Sequence, residues 1–214
     1  MNSSINALLV FVLLLDLFLL GTSRIRALIH GAALQGILLS VMPLLVHRHL
    51  PGTLPVVIAL ATLVLKGSII PGMLFKALRD AQIKREVEPL IGFVPTMLLG
   101  ALGAAISIAF AAHLSLTAEQ GKTLIVPAAF STVLTGFLLL ITRIKAISQV
   151  IGYLILENGI YVFGMLLLEA VPFLVEIGIL LDLFVGIFVV SIIIHHVNRE
   201  FDSLDTRRLA ALKE

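Results

Sequence analysis

The chain has 214 residues, of which 59% are hydrophobic and 13% are charged, and its formal net charge is +2. Because soluble domains carry about 25% charged residues, this composition excludes a soluble domain and indicates a protein whose solvent is lipid. The sequence contains no cysteine, so the chain cannot supply thiolate ligands for structural zinc or an iron–sulfur cluster. We expect it to bind no cofactor, and we expect any redox chemistry to take place in other subunits.

Seven apolar segments follow one another along the chain, each long enough to cross a bilayer as a helix of about 20 residues. The first, residues 4–21, has no basic residue before it and is followed by Arg24 and Arg26. A cleavable signal peptide has the opposite arrangement, so we expect this segment to remain as the first span. The other predicted spans are residues 27–46, 54–75, 90–113, 123–141, 147–168 and 171–194.

The distribution of basic residues predicts the orientation of these spans. Twelve lysine and arginine residues lie in the loops after the first, third and fifth spans and in the C-terminal tail, whereas only Arg48 and Lys122 lie on the opposite side. Lysine and arginine are enriched in cytoplasmic loops. The sequence therefore predicts an all-α polytopic membrane protein with its N-terminus outside and its C-terminus inside. The short basic loops give no indication of nucleic-acid binding.

Ionisable residues within the predicted spans are the main functional signal. A charge at the bilayer centre costs about 2.5–3.5 kcal/mol on insertion scales, and such residues usually face the interior of a helix bundle. Counting about 1.5 Å per residue places Lys66, Glu157 and Asp182 near the midplane. Glu176 lies in the outer half of the seventh span. Asp16 lies in the inner part of the first span, close enough to the following basic loop for partial solvation.

Two acids and a lysine at one depth on three helices predict a lateral row that moves protons or ions. Desolvation disfavours an ionised carboxylate and a nearby ammonium favours it, so the opposing effects keep these groups close to proton exchange. The alternative is that Lys66 pairs with one acid and only locks the bundle. Tyr153 and Tyr161 flank Glu157 on the same helix face, where a hydroxyl would bond the carboxyl or a water beside it, or where the rings would simply pack.

The histidines give a weaker signal. His47 and His49 form a His-x-His pair in an outer loop, with no third ligand near them in the sequence. Because zinc sites in proteins use three or four protein ligands, we expect no metal site there. His195 and His196 lie where the seventh span ends, a position typical of interface anchoring.

The last three predicted spans carry a family resemblance. Residues 143–161 (RIKAISQVIGYLILENGIY) resemble the second helix of the three-helix K subunit of respiratory complex I, which follows a basic loop and carries a mid-helix glutamate. Residues 175–186 (VEIGILLDLFVG) look like its third helix, and residues 201–206 (FDSLDT) look like its tail. With additional helices ahead of this unit, the whole chain looks like the component E family of hydrogenase-4, among the group-4 membrane-bound nickel–iron hydrogenases.

This resemblance implies a membrane-arm subunit of a complex-I-like hydrogenase or oxidoreductase in a prokaryotic cytoplasmic (inner) membrane. Its implied partners are other membrane subunits, including antiporter-like ones, and its buried acids would contribute to proton transfer. Glu157 matches the glutamate of the second helix. Asp182 fits the third-helix acid by its spacing, Glu176 fits it by residue type, and Lys66 has no counterpart in the three-helix unit. The implied regions are 1–122 (four membrane helices), 123–197 (the K-like unit) and 198–214 (a cytoplasmic tail).

Two other functions remain open at this point. One is a subunit of a multi-component cation/proton antiporter, which the subunits of a purified complex would reveal. The other is a passive scaffold for antiporter-like subunits. A scaffold predicts that Glu157→Gln leaves turnover and pumping intact, whereas large residues at Gly100 or Gly103 disrupt assembly, because small residues let membrane helices approach closely.

Overall fold

The computed structural model describes residues 2–46, 54–80, 89–114 and 123–165, and every regular element within these ranges is helical. Helical segments that are long and apolar enough to cross a membrane are Ser3–Gly21, Ile25–Leu45, Ala59–Arg79, Phe93–His113, Ile125–Thr142 and Ile147–Gly164. These six confirm the predicted all-α polytopic membrane fold. The predicted seventh span, residues 171–194, lies outside the described residues.

The helices follow the predicted segments closely. The third span extends beyond its predicted end at residue 75, because Ala77 and Leu78 remain buried and continue the packing of its last turn. A π-helical turn, Leu65–Ile69, joins its two halves. The helices are α1 (Asn2–Gly21), α2 (Ile25–Ser40), α3 (Met42–Val46), α4 (Leu54–Val64), α5 (Ile70–Asp80), α6 (Phe93–His113), α7 (Ile125–Thr142) and α8 (Ala146–Gly164).

The π-helical turn has a local cause in the sequence. Pro71 has no backbone N–H, and its ring crowds the carbonyl of the residue four positions earlier, Gly67. A locally widened turn is one way in which a helix accommodates such a mismatch. The turn carries Lys66, which is therefore presented by an irregular part of the helix.

Two helices, α7 and α8, form a closely packed antiparallel pair. A Cβ atom added to Gly159 would come within 2.6 Å of the Val133 backbone nitrogen, and one added to Gly152 would come within 2.8 Å of the Leu139 Cβ. Glycine at these positions lets the two backbones approach, as is typical of helix packing in lipid. This pair is the centre on which α1 and α2 pack, through α7 and α8 respectively.

The remaining helices surround this pair. The third span, α4 to α5, packs against α2, while α6 packs against α1 and α7. On α6, the buried positions are Thr96, Gly100, Ser107 and Ala111, and Gly100 lies directly against Leu20 of α1. These four small residues of α6 therefore pack within the chain. The other faces of α6 expose large apolar side chains such as Leu98, which is 65% exposed.

Candidate functional site: a buried polar cluster

Six polar side chains meet inside the helix bundle. We call them the buried polar cluster, and none of the six residues, taken as a whole, is more than 7% exposed. They come from α1, α2, the π-helical turn, α7 and α8, so the cluster links most of the bundle. Its members are Asp16, Gln35, Lys66, Thr132, Glu157 and Asn158.

Lys66 is the positively charged member of the cluster. Its Nζ lies 3.5 Å from Oε1 of Glu157 and donates a hydrogen bond of 3.1 Å to Oδ1 of Asn158. The ammonium also lies 5.2 Å from the centre of the Tyr161 ring, within the range of a cation–π interaction. Lys66 is therefore directed into the chain and makes charge-compensating contacts on α8.

Two carboxamides connect this region to the first helix. Asn158 donates from Nδ2 to Oε1 of Gln35 over 3.1 Å, and Gln35 donates from Nε2 to Oδ1 of Asp16 over 2.9 Å. On its other oxygen, Oδ2, Asp16 accepts a hydrogen bond of 2.7 Å from the Thr132 hydroxyl. Hydrogen bonds thus run without interruption from Lys66 on the third span to Thr132 on α7.

The structure brings together some of the predicted site residues. Lys66 and Glu157 form the ion pair, and the ring of Tyr161 lies beside the ammonium. Tyr153 packs against the apolar cluster that contains the start of α2 and much of α5. Asp182 and Glu176 lie outside the described residues, so their place relative to this pair stays a prediction.

The expectation for Asp16 was wrong. Partial solvation near the inner loop was expected, but Asp16 is only 1% exposed and both its oxygens accept hydrogen bonds. The reason is that α2 and α7 enclose it and supply polar partners, which a depth estimate along one helix does not include. The signal was present, because Asp16 is the sole charged residue in the first span.

The environment of Arg143 also differs from the one that the sequence predicts. The sequence places it in a basic loop, yet its side chain is fully buried. Its Nη2 donates to the Leu20 carbonyl over 2.6 Å, and its guanidinium carbon lies 4.7 Å from the centre of the Phe93 ring. Burial lowers its pKa, although arginine stays protonated in proteins. The guanidinium thus joins the ends of α1 and α7 to the start of α6, where it compensates a C-terminal helix carbonyl.

A small cavity adjoins the cluster. Its volume is about 20 Å³ and it is lined by Lys66 and Asn158 together with apolar residues of α2, α5 and α8, among them Ala33 and Leu74. This volume is sufficient for one water molecule. The apolar lining lies between the cluster and those ends of the three helices that adjoin the loops predicted to be cytoplasmic.

No protein-family model matches the chain, and no solved structure matches it. It is similar in sequence to two kinds of protein. It is 34% identical over 80 residues to hydrogenase-4 component E of Escherichia coli K12 and of Shigella flexneri, which is 37% of this chain and 37% of each relative. It is 31% identical over 192 residues to the uncharacterized protein Rv0085 of Mycobacterium tuberculosis, which is 89% of this chain and 87% of that protein. By the extent of this second alignment, the chain belongs to the same family as Rv0085.

Proposed function

We propose that this protein is a membrane subunit of a complex-I-like hydrogenase or related oxidoreductase, in which its buried acids take part in proton transfer. The partial similarity to hydrogenase-4 component E and the apolar helices support a place in the membrane part of such a complex. Because the chain has no cysteine, cysteine-ligated redox centres would belong to other subunits. The proposed location is a prokaryotic cytoplasmic (inner) membrane.

The observation that carries this proposal is the buried pair of Lys66 and Glu157. Their charged atoms lie 3.5 Å apart, and their side chains are 7% and 9% exposed. In a bilayer, such residues are costly and usually serve ion or proton pathways. Each charge compensates the other in this low-dielectric site, and we propose that proton transfer to and from Glu157 accompanies a change in the distance between the two groups.

The cavity next to Lys66 supports access for protons. One water in it would lie among Lys66, Asn158 and an apolar lining, on the side of the cluster that faces the predicted cytoplasmic loops. We propose that protons reach the pair from this side. Onward transfer would pass to an acid of the seventh span, Asp182 or Glu176, and then to an antiporter-like partner subunit.

The test is to measure proton pumping and redox turnover together in membranes that carry Glu157→Gln. Since one proton-transfer group typically contributes about 10²–10⁴-fold to a rate, we expect the coupled activity to fall at least about tenfold while the complex assembles normally. Glu157→Asp retains a carboxyl group and should recover part of the activity. Ile160→Val, on the exposed face of the same helix, is the matched control and should leave the activity close to that of the unmodified protein.

A scaffold is the second candidate function, because a buried ion pair also serves to lock a bundle. If Glu157→Gln assembles normally and leaves pumping and turnover unchanged, the proton-transfer proposal is wrong and the scaffold function is favoured. The subunits that purify with the full chain separate the hydrogenase complex from the cation/proton antiporter: hydrogenase or dehydrogenase subunits indicate the former, and their absence from an intact complex indicates the latter.

A further inference from the structure

Asp16 belongs to the buried polar cluster, and the proposed function gives it no specific role. It is 1% exposed and lies on α1, whereas Lys66 and Glu157 lie on the π-helical turn and on α8. A polar group buried inside a membrane bundle is costly unless it is paired. The contacts that Asp16 makes therefore indicate what it does in the bundle.

Both carboxylate oxygens of Asp16 accept hydrogen bonds from neighbouring helices. Oδ2 accepts from the Thr132 hydroxyl over 2.7 Å, and Oδ1 accepts from Nε2 of Gln35 over 2.9 Å. Thr132 lies on α7 and Gln35 lies on α2, so Asp16 joins three helices. The hydrogen bond to Gln35 is the one that leads toward Lys66 and Glu157.

Two carboxamides, those of Gln35 and Asn158, connect Asp16 to Lys66. Gln35 donates from Nε2 to Asp16, and its Oε1 accepts from Nδ2 of Asn158. Oδ1 of Asn158 then accepts from the Lys66 ammonium over 3.1 Å. Each nitrogen and oxygen of the two amides takes part in one of these bonds. Turning over either amide would therefore place donor against donor and acceptor against acceptor.

The two ends of this chain of hydrogen bonds require the same orientation of the amides. An ammonium has three donors and no acceptor, so it needs the oxygen of Asn158. At the other end, Oδ1 of Asp16 accepts, so it needs the nitrogen of Gln35. Aligned hydrogen-bond dipoles polarise one another in a low-dielectric interior. The orientation of Asn158 is thus favoured from α1 as well as from Lys66, whatever else Lys66 contacts.

The orientation of Asn158 matters because its neighbour in the sequence is Glu157. Nζ of Lys66 lies 3.1 Å from Oδ1 of Asn158 and 3.5 Å from Oε1 of Glu157. A hydrogen bond to Asn158 therefore restrains the ammonium close to the carboxylate. An Asn158 amide with the opposite orientation would direct its NH₂ group at the ammonium and repel it.

We infer that Asp16 is a positioning residue for the pair of Lys66 and Glu157. Through Gln35 it keeps the oxygen of Asn158 directed at Lys66, which holds the ammonium beside Glu157. Asp16 acts here as a hydrogen-bond acceptor and does not itself carry the transferred proton. Its effect on pumping rests on the proposed function, whereas its effect on the geometry of the cluster does not.

Two substitutions of Asp16 separate positioning from proton transfer. Asp16→Asn removes the acid but keeps an oxygen that accepts from Gln35, and its NH₂ group can donate to the Thr132 hydroxyl, which also accepts. Asp16→Leu removes the acceptor. In membranes with equal amounts of assembled complex, Asp16→Asn should keep most of the coupled pumping. Asp16→Leu should lower it at least about tenfold, because displaced reacting groups lose rate steeply. Equal losses in both variants, or no loss in either, overturn the inference.

Gln35→Met tests the route from Asp16 to Lys66, because it interrupts the hydrogen bonds with a side chain of similar length. It should lower pumping as much as Asp16→Leu does, and the double variant should lose little more, since substitutions in one network are not additive. Losses that multiply would show that Asp16 acts independently of Gln35 and would overturn the inference. The matched control on α2 is Ser40→Ala, which should pump normally because the Ser40 hydroxyl bonds within its own helix to the Ile37 carbonyl.

Solid-state NMR measures the geometry without relying on pumping. The full-length chain in lipid is labelled with ¹⁵Nζ lysine and ¹³Cγ asparagine, and Lys66→Met identifies the signal of Lys66. Transfer of magnetisation between Lys66 and Asn158 should persist in Asp16→Asn and be lost in Asp16→Leu and Gln35→Met. Unchanged transfer in Gln35→Met overturns the inference, even where Asp16→Leu does not fold.

The positioning role and the proposed function can fail separately. If the contact between Lys66 and Asn158 depends on Asp16 as expected but Glu157→Gln pumps normally, the positioning role stands and the proposed function is wrong. If Glu157→Gln stops pumping while Asp16→Leu keeps both the contact and the activity, the proposed function stands and the positioning role is wrong.

Discussion

Gly36 of α2 lies directly against Lys66 of the π-helical turn. A Cβ atom added to Gly36 would come within 2.7 Å of the Lys66 Cβ, so only glycine lets α2 approach the turn this closely. The contact fixes the depth and direction from which the ammonium reaches Glu157 and Asn158. A position without a side chain therefore supports the charged pair.

Substitution of Gly36 by valine should displace Lys66. Overpacking of this kind typically costs about 1–3 kcal/mol of stability, and the longer distance to Glu157 should lower the coupled activity at least about tenfold. Gly72→Val is the matched control, because a Cβ atom at Gly72 meets no atom within 4 Å. Thermal unfolding in detergent and proton pumping in membranes measure the two effects. Equal behaviour of the two variants would show that the contact with Gly36 does not position Lys66.

Arg143 should stabilise the fold through its buried contacts, and not only through its positive charge in a loop predicted to be cytoplasmic. Arg143→Ala removes a hydrogen bond to the Leu20 carbonyl and the stacking on Phe93. Hydrogen bonds to charged groups contribute about 1.5–3 kcal/mol, and we expect a loss of this size in the free energy of unfolding. Arg143→Lys should recover only part of it, because lysine lacks the planar face that stacks on an aromatic ring.

The control for this prediction is Arg26→Ala, an exposed residue near the same predicted membrane face. Surface substitutions usually change stability by less than about 0.5 kcal/mol, and Arg26→Ala should remain within that range. Comparable losses for the two arginines would mean that Arg143 acts only as a loop charge.

Lys66 and Glu157 should be energetically coupled. Removing one partner leaves the other charge buried and without its counter-charge, whereas removing both does not. We therefore expect Lys66→Met and Glu157→Gln each to lower the free energy of unfolding. The double variant should lose less than the sum of the two single losses, with a coupling energy of about 1–3 kcal/mol. Thermal unfolding of the unmodified protein, the two single variants and the double variant in one detergent measures this coupling energy. Additive losses, within about 0.5 kcal/mol, would contradict a stabilising pair.

The cavity beside Lys66 gives a separate prediction. Ala33→Leu places additional methyl groups in the lining of a space of about 20 Å³, which would exclude a water molecule. We expect proton pumping to slow severalfold while the ion pair remains intact. Ala104→Leu on α6, which is also partly exposed but is not among the residues that line this cavity, is the matched control. If both variants pump at the normal rate, water in this cavity does not supply protons to the pair.

The sequence was sufficient to predict the helices and the residues most costly to bury. Because no water is present inside a bilayer, the backbone N–H and C=O groups of an apolar segment of about 20 residues must bond to one another in a spanning helix. The six described spans therefore follow from length and composition. Lys66 and Glu157 stood out for a related reason, since a charge in an apolar segment has a large free-energy cost. Neither conclusion needs information about which helices are neighbours.

Which polar groups meet depends on how the helices pack. In lipid, both the buried and the exposed faces of a helix are apolar, so the periodicity that marks the inner face of a soluble helix is weak. Helix order and rotation depend instead on close contacts between distant segments, such as Gly36 against Lys66 and Gly159 against Val133. These contacts place Asp16 beside Gln35, bury Arg143 at the end of α1, and complete a cluster whose members are scattered along the chain.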